Sequence, residues 1–103
     1  MDPRQGEVWW AEAEDKRRPV LVITRSDAIP VLSRIVVAPL TRTVRSIPTE
    51  VHFGPEDGLA AECAASLDNV QPIDRRLLTE RLATPRAGQR RELCAALAAL
   101  ADC

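Results

Sequence analysis

The sequence predicts an α+β fold, mainly β, in which a small barrel of short strands carries one C-terminal α-helix. Short apolar, β-branched runs recur through the first 83 residues and are separated by Gly, Pro, Asn and Asp residues that favour turns. From residue 84 onward, leucines recur instead at helical spacing. The length of 103 residues is that of one domain, so we expect a single domain over residues 1–103.

The first two predicted strands flank a charged loop. Residues 7–11 (EVWWA) follow a glycine and are apolar and aromatic, which is typical of a strand, and residues 12–18 form the loop. Residues 19–24 (PVLVIT) are too few for a helix, so they predict a buried strand. Pro19 fits only the first position of that strand, because proline cannot donate a ladder hydrogen bond.

Two further strands are expected in the middle of the chain. Residues 35–41 (IVVAPLT) repeat the buried pattern, and Pro39 predicts a bend or an edge position there. Residues 49–53 (TEVHF) alternate polar and apolar side chains, which predicts a strand with one wet face. Residues 54–58 (GPEDG) supply the turn that follows.

The last part of the chain changes from strands to a helix. Short β-like pieces at 63–67 and 70–73 precede a helical turn at 74–78 and a last strand at 80–83. Thr84 is a candidate cap and Pro85 suits a first helical position. The apolar face of this helix would be formed by Leu93, Leu97 and Leu100.

Charge is unevenly distributed along the chain. The formal net charge of −1 argues against a protein held on nucleic acid by bulk charge. Residues 16–45, however, contain seven basic residues and a single acidic one, Asp27. This basic segment is interpreted either as a solvated face neutralised by acids elsewhere in the fold, or as a groove that faces phosphate.

Several classes of protein are excluded by missing motifs. The N-terminal residues are polar and no run is long enough to span a membrane, so we expect a cytoplasmic protein. The three cysteines are widely spaced, which indicates reduced thiols rather than a zinc site. A single histidine and the absence of GxSxG, HExxH and Gly-rich phosphate loops exclude a serine triad and a multi-histidine metal site. We therefore expect neither a metal nor a cofactor.

Two residues suit RNA cleavage by attack of the RNA's own 2′-hydroxyl. That reaction needs a proton acceptor, a proton donor and positive charge over the phosphate oxygens. Arg18 precedes a rigid proline at the mouth of a strand, and the Thr41 hydroxyl ends another strand, so both could contact one phosphate. Alternatively, Arg18 pairs with Glu12, Glu14 or Asp15, and Thr41 only terminates its strand. His52 is either a surface histidine or a general base.

The aromatic residues allow a similar pair of interpretations. If residues 7–11 form a strand, one of Trp9 and Trp10 must face outward, because successive side chains point to opposite faces. These residues and Phe53 are the whole aromatic set. They either pack in the core and a dimer interface or stack on RNA bases.

The order of several short motifs resembles the MazF/PemK (Kid) family of toxins, and the resemblance covers nearly the whole chain. The motifs are residues 4–10 (RQGEVWW), 18–23 (RPVLVI), 37–41 (VAPLT), 47–51 (IPTEV), 58–59 (GL) and 68–74 (DNVQPID). This resemblance implies an SH3-like, CcdB-like barrel that forms a homodimer. It also implies an endoribonuclease that cuts single-stranded RNA to a 2′,3′-cyclic phosphate and a 5′-hydroxyl without a metal.

The resemblance also implies site residues and partners. The catalytic set would be Arg18, Thr41 and Asp68. Apart from the resemblance, RNA binding is expected to involve arginines of the basic segment together with two polar residues that follow Asp68: Arg17, Arg25, Arg42, Arg45, Asn69 and Gln71. The substrate would be mRNA, with rRNA and tRNA as the other classes. The second partner would be a cognate antitoxin with an acidic disordered tail, which suits the basic segment.

The chain departs from the family pattern at three places, and two rival functions remain. Ser66 stands where many members carry an arginine, and residues 69–74 read NVQPID where many read QxRTID. The loop after the first strand is also short. A non-catalytic toxin of the CcdB type, which grips a protein such as gyrase, would need no paired Arg18 and Thr41. A degenerate relative with only an interaction role is the third option, suggested by Ser66.

Overall fold

The computed structural model describes residues 2–12 and 16–102, which form seven strands followed by one α-helix. The elements are β1 (Val8–Glu12), β2 (Arg17–Val22), β3 (Arg34–Thr41), β4 (Glu50–Phe53), β5 (Cys63–Ser66), β6 (Gln71–Asp74), β7 (Leu78–Ala83) and α1 (Ala87–Ala101). Short 3-10 helices occur at Ile29–Val31, Pro55–Asp57, Leu67–Asn69 and Arg75–Leu77. This arrangement confirms the predicted α+β fold, mainly β, and the helical turn expected at 74–78.

The strands pair antiparallel in one sheet. Its order is β4-β5-β3-β2-β1-β7, and β6 pairs with β3 outside that path. Strand β3 changes its partner along its length, since residues 34–37 pair with β6 whereas Leu40 and Thr41 pair with β5. Pro39 lies at this change, as the predicted bend required. In the described residues no ladder joins the end strands β4 and β7. Strand pairing therefore does not close the sheet into a complete barrel.

Both faces of the sheet are buried, which explains the nearly continuous apolar runs in the sequence. On one face Val8 and Leu21 pack with Phe53 of β4 and Leu93 of α1. The opposite face has its own apolar cluster, formed by Trp9, Ala11, Val20, Val22, Ile29, Ile35, Val37 and Leu78. Alternate residues of β1, β2 and β3 therefore enter two different cores.

The predicted start of the second strand was wrong. Strand β2 begins at Arg17, so Pro19 is its third residue and lies opposite Trp10 of β1. The ladder between β2 and β3 begins only at Val20, so just one side of β2 is paired at Pro19. A residue without an N–H group is tolerated at such a half-paired position.

The predicted wet face of the fourth strand was also wrong at one residue. Glu50 is only 2 % exposed, although the polar–apolar alternation placed it in solvent. Its carboxylate accepts hydrogen bonds from the backbone N–H groups of Arg45 and Ser46, which compensate for burial. His52, on the same strand, is half-buried and lines a cleft, as expected.

The helix begins later than predicted. Arg86, rather than Thr84, is the N-cap residue, because the Gln89 side chain accepts a hydrogen bond from the Arg86 N–H at 2.9 Å. Leu93 is buried and Leu97 is partly buried against the core, but Leu100 is 40 % exposed. Two of the three leucines predicted for the apolar face of the helix therefore pack toward the core.

No helix in the described part of the chain is long and apolar enough to cross a membrane.

Candidate active site

Arg18 lies on β2, opposite Ala11 of β1, and its side chain enters a cavity of about 640 Å³. This Arg18 cavity is lined by Ala11, Glu12, Arg18, Val20, Gln71, Ile73 and Leu77. Among residues 2–12 and 16–102, no carboxylate forms an ion pair with Arg18. Of the three acids considered as partners from the sequence, Glu12 is bound elsewhere, and Glu14 and Asp15 lie outside the described residues. A half-buried cation is thus aimed into an open cavity.

Arg17, by contrast, is occupied by contacts within the protein. Its Nε donates to Glu12 Oε2 at 2.8 Å, and its Nη2 donates to Glu80 Oε1 at 3.4 Å. The guanidinium also lies 4.7 Å from the ring centre of Trp10, a cation–π contact. The predicted RNA-binding residue Arg17 therefore orders the β1–β2 hairpin in this structure.

The two tryptophans face opposite sides of β1, which confirms the prediction that one of them points outward. Trp9 is buried, and its Nε1 donates to Glu7 Oε1 at 2.9 Å. Trp10 is half-buried and lines a second cavity. Core packing thus accounts for Trp9, whereas Trp10 contacts the Arg17 guanidinium and also lines the second cavity.

Thr41 is the last residue of β3 and lines this second cavity, of about 440 Å³, beside Trp10 and Arg42. Its Oγ1 accepts a hydrogen bond from the Thr43 N–H at 3.2 Å, which leaves the hydroxyl proton available to a phosphate oxygen. The β2–β3 register pairs Val20 with Pro39. Continued by two residues, that register would bring Arg18 level with Thr41, although the two residues line different cavities.

Asp68 lies in the 3-10 helix after β5 and outside both the Arg18 and the Thr41 cavities. Its Oδ2 accepts a hydrogen bond from Thr49 Oγ1 at 2.6 Å. Ser66, which replaces an arginine of many relatives, is buried and caps this turn by accepting from the Asp68 N–H at 3.3 Å. The departure at Ser66 thus has a structural role in this chain.

The remaining predicted RNA-binding residues are dispersed. Gln71 lines the Arg18 cavity, whereas Asn69 is exposed at the end of the turn that carries Asp68. Arg42 and Arg45 are exposed on the segment that joins β3 to β4. Arg25 is exposed and its Nε lies 3.3 Å from Asp27 Oδ1.

A cluster of Glu50, His52 and Glu92 connects β4 to α1. His52 Nε2 lies 3.3 Å from Glu50 Oε1, and its Nδ1 lies 3.0 Å from Glu92 Oε2. Burial acts to lower the pKa of His52, but the neighbouring carboxylates Glu92 and Glu50 outweigh it and raise that pKa above its usual value. Burial likewise acts to raise the pKa of Glu50, and three backbone N–H groups reverse this and lower it.

Sequence reasoning missed two acidic residues. Glu50 was missed because alternation placed it in solvent. Glu12 was treated only as an ion-pair partner, yet it lines the Arg18 cavity, where its Oε2 also accepts from Thr79 Oγ1 at 3.0 Å. The β1–β2 hairpin, which places Glu12 opposite Arg17, was the signal that could have located it.

Two further observations concern metal ligands and thiols. Residues 2–12 and 16–102 contain no group of three His, Cys, Asp or Glu side chains arranged to hold a metal ion. Within the same ranges Cys63 and Cys94 form no disulfide, and burial raises the pKa of the Cys63 thiol. Cys103, the third predicted free thiol, lies outside the described residues.

Comparison with known proteins gives consistent matches over almost the whole chain. Residues 4–101 match the family described as PemK-like, MazF-like toxin of type II toxin-antitoxin system. The chain is 42 % identical over 103 residues to the probable endoribonuclease MazF5 of Mycobacterium tuberculosis, covering 98 % of this chain and 94 % of that protein.

Solved structures of related toxins share this fold. The toxin MazF-mt6 of Mycobacterium tuberculosis superposes with a TM-score of 0.83 at 35 % identity, covering 93 % of this chain and 96 % of that one. An endoribonuclease in complex with its cognate antitoxin, from a mycobacterial species, superposes with a TM-score of 0.81 at 25 % identity. That match covers 97 % of this chain and 95 % of the other.

Proposed function

Because the chain belongs to the family of PemK-like, MazF-like toxins of type II toxin–antitoxin systems, we propose that it is a metal-independent endoribonuclease of single-stranded RNA. The observation that carries this proposal is Arg18, a half-buried guanidinium that enters a cavity without an ion-pair partner among the described residues. A cation left unneutralised in a partly buried site is suited to bind an anion, and the phosphate of RNA is the anion that such toxins act on.

The proposed reaction is attack by the 2′-oxygen of a ribose on its own 3′-phosphate. The bond between this oxygen and phosphorus forms while the bond to the 5′-oxygen of the next nucleotide breaks. A base takes the proton of the 2′-hydroxyl, and the 5′-oxygen receives a proton. The products are a 2′,3′-cyclic phosphate and a 5′-hydroxyl, so no water or metal enters the bond-breaking step.

Each protein residue has a distinct proposed role. Arg18 binds the non-bridging oxygens, on which negative charge increases in the transition state, and Thr41 donates a hydrogen bond to one of them. Asp68 was the base suggested by the family resemblance. Glu12 is a second candidate, because it is the carboxylate that shares the Arg18 cavity. Substitution of each by its amide, Asp68→Asn and Glu12→Gln, decides between them through the acid limb of the pH–rate profile.

The partners and the compartment belong to the same proposal. The substrate is single-stranded cellular RNA, mRNA first, which places the toxin in the cytoplasm. An antitoxin with an acidic segment covers the arginines at positions 18, 25, 42 and 45 and so excludes RNA. A homodimer is proposed as the active form.

Incubation of the purified protein with a long single-stranded RNA in EDTA tests this function. We expect cleavage at an unchanged rate, with products that end in a cyclic phosphate and begin with a 5′-hydroxyl. Activity that EDTA removes, or a 3′-hydroxyl product, would point to a metal-dependent reaction instead. A complete lack of cleavage would favour a toxin that acts by binding a protein.

A further inference from the structure

The segment between β3 and β4, residues 42–49, has no regular structure, yet it joins the candidate site residues. It begins directly after Thr41 and carries the exposed Arg42 and Arg45. At its other end Thr49 donates a hydrogen bond to Asp68 Oδ2 at 2.6 Å. The conformation of this segment therefore determines where two arginines lie relative to Thr41, and its last residue contacts Asp68.

Glu50 holds the segment from inside the protein. Arg45 N–H donates to both carboxylate oxygens, at 3.2 Å and 3.1 Å, and Ser46 N–H donates to Oε1 at 2.8 Å. Ser46 has a φ of 56°, a left-handed conformation that a serine adopts only when its surroundings impose it. A buried carboxylate surrounded by backbone N–H groups is such an environment.

The other side of Glu50 is attached to the helix. His52 bridges Glu50 and Glu92, and the Gln89 side chain donates to the His52 carbonyl at 3.2 Å. The Glu50 side chain is not needed for the β4–β5 ladder, which is made by backbone groups. Burial of the Glu50 charge costs free energy, and hydrogen bonds to the arginine-bearing segment offset that cost. This exchange indicates that Glu50 helps to specify the conformation of the segment.

We propose that Glu50 is a positioning residue for RNA: its buried carboxylate fixes residues 42–49 so that Arg42 and Arg45 meet the phosphates that flank the cut. This inference rests on the proposed function and adds a residue that touches neither the reacting atoms nor the RNA. His52 and Glu92 connect the Glu50 carboxylate to α1. The positions of Arg42 and Arg45 are therefore fixed relative to the core of the protein and are not set by the loop alone.

The test is RNA binding by Glu50→Gln as a function of salt. The amide side chain turns an NH₂ group toward backbone N–H donors, so the segment should be released. The probe is a random-sequence single-stranded RNA with 2′-O-methyl riboses, which lack the attacking hydroxyl. We expect weaker binding and a plot of log affinity against log salt that is shallower by about 0.7 for each arginine that no longer reaches a phosphate. Cleavage of unmodified RNA should fall by up to about 100-fold through misplacement alone.

The matched control is Glu7→Gln. Glu7 is also a buried carboxylate, 4 % exposed, and the hydrogen bonds of its side chain are made with Arg4, Trp9 and Arg81, outside residues 42–49. We expect this variant to lose stability without a change in the salt dependence of RNA binding. A purely structural role of Glu50 would make the two variants behave alike, and that result would overturn the proposal.

A double-mutant cycle gives the second test. With Arg42→Ala and Arg45→Ala already in place, Glu50→Gln should have almost no further effect on RNA binding, because the residues that it positions are gone. An undiminished effect in that background would contradict the proposal.

If Glu50→Gln fails to fold, the exposed Ser46 carries the test. Ser46→Val strains the left-handed backbone and should reproduce the shallower salt dependence, whereas Ser46→Gly should bind RNA like the wild type. Equal binding by the two Ser46 variants would overturn the proposal. Wild-type protein that neither cuts nor binds RNA would overturn the proposed function, and this inference with it.

Discussion

Arg18 illustrates how a single side chain can be available for chemistry in a chain of nearly neutral charge. Its neighbour Arg17 pairs with Glu12 of β1 and Glu80 of β7 and lies over the Trp10 ring, so Glu12, which shares the Arg18 cavity, already has a basic partner. Adjacent arginines on a strand point to opposite faces, which separates the two roles. The alternation of the strand therefore leaves one guanidinium for a ligand.

Arg18→Ala should abolish cleavage of long RNA and leave the fold intact, because this residue supplies charge stabilisation and little packing. Loss of one such donor is expected to cost about 100-fold to 1,000-fold in rate. Arg18→Lys should restore little, since an ammonium does not reproduce the planar fork. Arg90→Ala, an exposed arginine of α1, is the control. Cleavage by Arg18→Ala at the wild-type rate, measured on labelled RNA, would remove Arg18 from the mechanism.

His52 should make stability depend on pH in the neutral range. Its pKa is raised in the folded protein by Glu92 and Glu50, against the effect of burial. The stabilisation is therefore complete below its unfolded pKa of about 6.5 and is lost as the pH rises through the higher folded value. The difference in unfolding free energy between wild type and His52→Gln should be largest near pH 6 and shrink toward pH 9. Urea unfolding across this range measures it, and a difference that grows with pH would contradict the assignment.

At the scale of the elements, α1 contributes to the core through few residues. Leu93 is 4 % exposed and contacts the cluster that includes Val8 and Phe53, whereas Leu100, two turns further along, is 40 % exposed. Leu93→Ala should lower the free energy of unfolding by about 2–5 kcal/mol. Leu100→Ala should change it by less than about 0.5 kcal/mol. Chemical denaturation measures both, and equal losses would show that the helix packs differently.

The strands could be predicted from the sequence because burial on both faces produces uninterrupted β-branched runs, as at residues 19–24 and 35–41. Strand ends were less predictable, since they depend on which neighbour continues the ladder. Strand β2 starts at Arg17 because Glu12 of β1 lies opposite it. The start of α1 was missed because the Gln89 side chain, three residues into the helix, decides the cap.

Prediction of the site was limited by the same dependence on distant contacts. Arg18 and Thr41 were proposed from their positions at the ends of strands and then supported by the order of motifs, and their roles stay predictions. The alternation of polar and apolar residues in β4 predicted that Glu50 lies in solvent. Such an alternation carries no information about a segment elsewhere in the chain, here residues 42–49, that covers one side of the strand. Burial of Glu50 requires Arg45 and Ser46 to bring their N–H groups to the carboxylate, and no local pattern predicts that.

At the scale of the whole molecule, exposed apolar side chains suggest that the chain has a self-association surface. Val31 is 81 % exposed, and Leu32, Val44, Ile47, Val70, Leu77 and Leu100 are at least partly so. We expect a dimer at micromolar concentration, because association would cover apolar surface that a monomer exposes and would add to the modest core of a chain of this length. Sedimentation velocity measures it, with Val31→Asp as the variant that should shift the protein toward monomer. A wild type that sediments only as a monomer would contradict the homodimer.

RNA and antitoxin should compete for one face of the whole molecule. The predicted binding arginines at positions 18, 25, 42 and 45 come from three separate segments of a chain whose net charge is −1, so a shared binding face would have to extend across all three segments. An acidic antitoxin segment and an RNA backbone would both be attracted to that charge. Charge reversal at Arg42 and Arg45 together should therefore slow the association of both ligands, and more at low salt than at high salt.

The decisive measurement is a titration of 2′-O-methyl RNA against a labelled acidic antitoxin segment bound to the wild-type protein. Shared use of the arginines predicts that each ligand lowers the affinity of the other by the same factor, as linkage requires. Raising the salt concentration from about 0.1 M to 1 M shortens the Debye length from about 10 Å to 3 Å, so the electrostatic part of both affinities should fade while apolar anchors of the antitoxin persist. The antitoxin should then displace RNA more effectively at high salt. Simultaneous binding without mutual loss of affinity would mean that the two ligands use different faces, and the basic segment would be a solvated surface.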